Sequence, residues 1–185
     1  MAYSKTQIFL HWLSAVIILW ATCSGFYVAL ADVPGSIKHA VSFFNVSITT
    51  LLIPFFAVRM YLAFSKVRGV PRQGGELAAF VAHKAIYLAT TTVLVTGVLM
   101  MDRDINVFHV FSIPQPITDA GLIARFNTAH KYACIALGGL LVLHVAAVIK
   151  HHLCGNPVLR RMGVTTRRTA VPAPQEGRAP APVAR

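Results

Sequence analysis

Four long apolar stretches divide this chain, and histidines are set into them at defined depths. His11 lies just inside the first stretch and His39 opens the second. His130 and His144 both lie on the fourth, fourteen residues apart. Crossing the hydrocarbon core takes about 20 mostly apolar residues in a helix. The segments near 8–30, 38–64, 77–101 and 128–151 meet that length. Backbone polar groups find no partner in lipid, so these segments are expected as helices. The short alternating strands of a membrane barrel are not seen in the sequence. The expected fold is all-α, an integral-membrane four-helix bundle over 1–163. A disordered, basic, Pro- and Ala-rich tail is expected over 164–185.

Composition agrees. Hydrophobic residues make up 56% of the chain and charged residues 12%, against roughly 25% charged in a soluble domain. The first stretch is too long for a cleavable signal, and no small-residue cleavage site precedes a soluble domain. Cys23, Cys134 and Cys154 form no CxxC pair and no CxxCH, so covalent haem attachment is not expected. They are read as small apolar residues within helices.

Charge gives the orientation. Lys5, the middle loop (Lys66, Arg68, Arg72, with Arg59 before it) and the tail from Lys150 to Arg185 carry most of the cations. Asp32, Asp102, Asp104 and Asp119, of six acids in all, fall in the two opposite loops. Cations favour the cytoplasmic side, so both termini are expected in the cytoplasm. The net charge of +11 then follows membrane sidedness and suits anionic lipid. No nucleic-acid partner is expected.

Turn chemistry marks the joins. Asp32-Val33-Pro34-Gly35 reads as a turn, with Ser36 as a cap for the second helix and Asn127 for the fourth. Pro54 is expected to kink the second helix. Gly155-Asn156-Pro157 ends the fourth. The 102–127 connection is expected to fold over the outer mouth of the bundle.

An ionisable ring within a bilayer is costly and is usually kept for function. Neutral imidazole is also a standard axial ligand of haem iron. On the fourth helix His130 and His144 lie about 21 Å apart along the axis and share one face. The orientation puts His11 level with His144 near the cytoplasmic face. It puts His39 level with His130 near the outer face. Two such bis-imidazole pairs would stack two haems across the membrane. The plainer alternative is that each ring serves as an interhelical hydrogen-bond donor. A zinc site fits less well, because the pairs are distant and lack nearby Cys or carboxylate ligands. Gly25, Gly97, Gly138 and Gly139 are candidates for close packing on haem.

These residues resemble the bacterial dihaem cytochrome b561 family. The matching features are His11-Trp12, His39, Val58-Arg59, His83 with Ile86-Tyr87, Ala129-His130, the run from Leu143 to Ala147, and His151-His152. The resemblance runs from about 5 to 162. It implies two haem b, with His11, His39, His130 and His144 as axial ligands. It also implies electron exchange between an external donor and membrane quinone, ubiquinone above all. Superoxide is one donor found in such a family, and a periplasmic redox partner such as a dehydrogenase is another. Two departures stand out. Lys131 follows His130 where relatives often carry an acid, and Leu94 stands where they often carry a proline.

His83 and His151 lie toward the cytoplasmic end, where the relatives place a quinone. Imidazole can bond a quinone carbonyl and move its proton. The alternatives for both are an interfacial position or a bond to a haem propionate. Arg59 and Lys84 are read either as propionate contacts or as snorkelling to headgroups. His109 is expected in solvent. Two other functions stay open at this stage: a haem-bearing anchor subunit of a periplasmic dehydrogenase, and a haemless transport or metal-binding bundle.

Overall fold

The computed structural model describes residues 4–65 and 74–154. The tail expected over 164–185 and the helix stop at Gly155-Asn156-Pro157 lie outside the described residues. Four helices are long and apolar enough to cross a membrane: α1 (Lys5–Leu30), α2 (Gly35–Phe64), α3 (Gly74–Leu99) and α4 (Ala120–Leu153). The ends of α1 and α4 at Lys5 and Leu153 share one side of the bundle with the end of α2 at Phe64 and the start of α3 at Gly74; this is called the termini side below. The expected bundle is thus observed, with local differences.

The first concerns helix starts. α1 begins with a capping box: Ser4 Oγ accepts from the Gln7 N–H and the Gln7 side chain accepts from the Ser4 N–H. α2 starts after Pro34, and no side chain caps it, so Ser36 is not its cap. α4 starts at Ala120, where Asp119 accepts from the Leu122 N–H at 2.7 Å. Asn127 is therefore well inside the helix. Asp119 wins because its carboxylate sits one residue ahead of the first helical position and bonds a free N–H there.

The second is a hairpin in the long connection. β1 (Ile105–Val107) pairs antiparallel with β2 (Phe111–Ile113), Val107 opposite Phe111. Phe108 and His109 turn the chain with φ of 49° and 58°. Both central residues of the turn are thus left-handed, as a hairpin of this twist needs, although neither is glycine. Aromatic contacts hold them there. Phe108 meets Phe43 and Phe44 edge-on, and His109 stacks on Phe43 at 4.8 Å. His109 is exposed, as expected, but it is not simply solvated.

The hairpin packs against α2. Buried Ser47 donates to the Asn106 carbonyl and accepts from the Phe108 N–H, each at 3.2 Å. Ile105 and Val107 are buried with Met101 against Val46 and Val98. The loop does cover one end of the bundle, here called the hairpin side.

The packing is uneven. The helices form two close hairpins, α1 with α2 and α3 with α4, which touch each other more sparsely. Ile17, Ile18, Leu52, Phe56 and Leu137 make the shared core between them. Polar glue joins α1 to α2, where Asn45 Nδ2 donates to Ser24 Oγ at 2.9 Å. Pro54 lies inside α2, which runs on through it to Phe64. α3 is unbroken through Leu94.

Candidate haem-binding site

α3 and α4 run antiparallel in a fixed register. His83 on α3 meets His144 on α4, ring centroids 5.2 Å apart and edge-on. Fourteen residues further along α3, Gly97 faces His130. The fourteen-residue spacing on α4 is therefore answered by an equal spacing on α3. At 1.5 Å per residue the two levels lie about 21 Å apart.

On the termini side four groups converge. Arg59 donates to Nδ1 of His11 at 2.9 Å. Arg59, His83 and His144 all lie near enough for charge on one to act on another. His11 and His144, the expected inner pair, both border this group, His11 through Arg59 and His144 through His83. Arg59 also lies over the Tyr87 ring at 5.2 Å. Lys84 sits over Phe64 at 3.6 Å. His83 donates from Nδ1 to the Ala79 carbonyl at 2.7 Å. Its Nε2 is therefore the unprotonated nitrogen of the neutral ring. His151 is exposed, two turns beyond His144.

On the hairpin side His130 is seated on α3. Its Nδ1 lies 3.1 Å from the Val93 carbonyl and 3.1 Å from Thr96 Oγ1. A Cβ on residue 97 would lie 3.2 Å from His130 Cε1, so glycine lets the ring approach. The Cys134 thiol lies 3.4 Å from His130 Nε2. Cys134 is thus more than an apolar filler, while Cys23 and Cys154 are exposed free thiols.

His39 lies in the second turn of α2 and is exposed. Val46, seven residues further along α2, packs against the same hairpin cluster that Val98 of α3 meets.

The donor set suits iron protoporphyrin. It consists of imidazoles in apolar helices, with a cation, Arg59, beside His11. His130 is already arranged with Nδ1 bonded and Nε2 turned to other company, as an axial ligand requires. His11 is not, because Nδ1 accepts from Arg59. Of the other glycines, Gly138 faces Phe26, where a Cβ would lie 3.0 Å from Cε2, while Gly25 and Gly139 face open space. Sequence reasoning missed Thr96, whose polar character in an apolar helix was the only signal. It also missed the Arg59–His11 bond, which joins residues 48 apart in sequence.

A family profile described as Prokaryotic cytochrome b561 matches residues 2–163. The chain belongs to the prokaryotic cytochrome b561 family. It is also 29% identical over 161 residues to Cytochrome b561 homolog 2 of Escherichia coli (strain K12), covering 82% of this chain and 86% of that protein. Membership makes it a multi-pass bacterial membrane protein that binds b-type haem and transfers electrons across the membrane. The haemless reading is thereby set aside.

Proposed function

We propose that this cytochrome carries electrons through two haem b across the bacterial inner membrane, between an external donor and ubiquinone. His11 and His144 would hold the iron on the termini side, and His39 and His130 on the hairpin side. The cation bias places the termini side in the cytoplasm. The observation that carries the reading is the register of α3 and α4, with His130 and His144 about 21 Å apart along one half-buried face. Haem supplies one-electron chemistry when bound. The chain supplies ligands, burial and exclusion of water.

His83 and His151 are proposed as the quinone contacts. His83 offers an unprotonated Nε2 beside His144. That nitrogen can take the proton of a quinol hydroxyl and, once protonated, donate to a quinone carbonyl.

The test is haem per chain in the purified protein, followed by redox titration of single alanine variants. Two haems are expected. His11→Ala and His144→Ala should remove one redox component, and His39→Ala and His130→Ala the other. A stoichiometry near one would overturn the dihaem reading. If His39→Ala spares the component that His130→Ala removes, a different residue completes the hairpin-side site.

A second reading is a haem-bearing anchor for a periplasmic dehydrogenase. The hairpin favours it, since Val110, Phe111 and Ile113 are exposed there. Co-purification of a dehydrogenase with the intact chain, lost on Val110→Asp/Phe111→Asp, would establish it.

A further inference from the structure

We propose that Thr96 is a positioning residue for His130. It fixes the imidazole proton on Nδ1, aims Nε2, and tunes the iron site that His130 serves. This rests on the reading of His130 as an iron ligand.

The argument is one of donors and acceptors. The Val93 carbonyl can only accept, and it lies 3.1 Å from His130 Nδ1. Nδ1 therefore carries the proton. Thr96 has a single hydroxyl proton, and that proton is committed to the Thr92 carbonyl at 2.6 Å. Toward His130, 3.1 Å away, Thr96 can then act only as an acceptor. The Nδ1 proton is shared between two oxygens. With the proton held there, Nε2 keeps its lone pair, and the Cys134 thiol 3.4 Å away can donate to it. Gly97 completes the seat, since a Cβ there would press on the same ring.

An acceptor on the far nitrogen raises the basicity of a ligating imidazole and fixes its plane. A more basic ligand favours the oxidised iron. Of the two oxygens, only the one on Thr96 belongs to a side chain. It is therefore the one that substitution can change without breaking the backbone.

Thr90 supplies the control. It is also a buried α3 threonine, but its hydroxyl has no hydrogen-bond partner among the described residues. Thr90→Val thus removes a hydroxyl from the same helix without touching His130.

The experiment uses haem-loaded protein in lipid nanodiscs, with redox titration and ferric low-spin electron paramagnetic resonance. His130→Ala first identifies which component His130 serves. Thr96→Val should keep both components and raise the midpoint of that one alone. A three- to tenfold shift in its reduction equilibrium is expected, the upper limit being about 59 mV for one electron. Its resonance should broaden or move as the ring loses its fixed plane. Thr96→Ser should restore both readouts, and Thr90→Val should change neither. The proposal is overturned if Thr96→Val matches wild type, if both components shift together, or if Thr90→Val shifts the same one. If Thr96→Val does not assemble, Thr96→Ser decides alone: wild-type values support the seat, and a shifted midpoint overturns it. If His130→Ala keeps both components, the ligand reading itself fails and the proposal falls with it.

Discussion

Arg59 and His11 are joined through the nitrogen that an iron-bound imidazole uses as a donor. Arg59 donates to Nδ1, so the neutral His11 ring carries its proton on Nε2. Ligation through Nε2 requires the opposite tautomer. If His11 holds iron as proposed, Arg59 would have to release it, and a haem propionate would then be a fitting partner for the guanidinium.

Arg59→Met should accordingly keep both haems and lower the midpoint of the His11 component. A nearby cation disfavours the more positive, oxidised iron, so its removal favours oxidation. The expected fall is on the order of tens of millivolts, with about 59 mV equal to a tenfold change for one electron. Redox titration reads it. An unchanged midpoint would show that Arg59 stays clear of the haem.

Gly97 should tolerate little. In Gly97→Ala the new Cβ meets His130 Cε1 at 3.2 Å, and the ring must tilt by a few tenths of an ångström. Weaker retention of the His130 haem is expected. Gly97→Leu should lose that haem and keep the other. Haem content and the titration profile check both, and retention of two haems in Gly97→Leu would rule out the seat described for His130.

Ser47→Ala should loosen the hairpin. It removes a donor to Asn106 and an acceptor for Phe108 at a buried site. Leaving such groups unpaired costs about 1–3 kcal/mol. Faster amide exchange across 105–113 is expected, with little change at the termini side. Unaltered exchange would mean that the aromatic contacts alone hold the turn.

His83→Ala and His151→Ala should keep both haems and slow reduction by quinol. A lost hydrogen bond weakens binding by about 1 kcal/mol, and loss of the proton acceptor slows turnover further. Stopped-flow haem reduction, after haem content is confirmed, measures it. Normal rates in the double variant would move the quinone site elsewhere.

The four spans were legible because lipid imposes one simple demand, a long apolar helix. Their starts were less so. Asn127 looks like a cap until Asp119 is seen to bond Leu122, eight residues earlier in the chain. The hairpin was hidden because Phe108 and His109 adopt a backbone that sequence normally signals with Gly or Asn. Aromatic packing on Phe43 and Phe44 takes the place of that signal. That His11, His83 and His144 lie toward one end of the bundle was readable from helix direction. The bonds of Thr96 and Arg59 depend on neighbours distant in sequence.

The matched faces of α3 and α4 carry an ambiguity. His83, Thr90 and Gly97 recur every seven residues, as do His130, Leu137 and His144. A slip of seven residues would still present small or polar groups to a partner stripe, with His130 now facing Thr90. Repeating stripes of this kind leave the alignment open unless something else fixes it. Here the segment from Met100 to Asp119 does so, because it is pinned to α2 at Ser47 and has a definite reach. It acts as a ruler: inserting or deleting residues between Ile113 and Asp119 would be read out twenty ångströms away, roughly, as the wrong partner for His144.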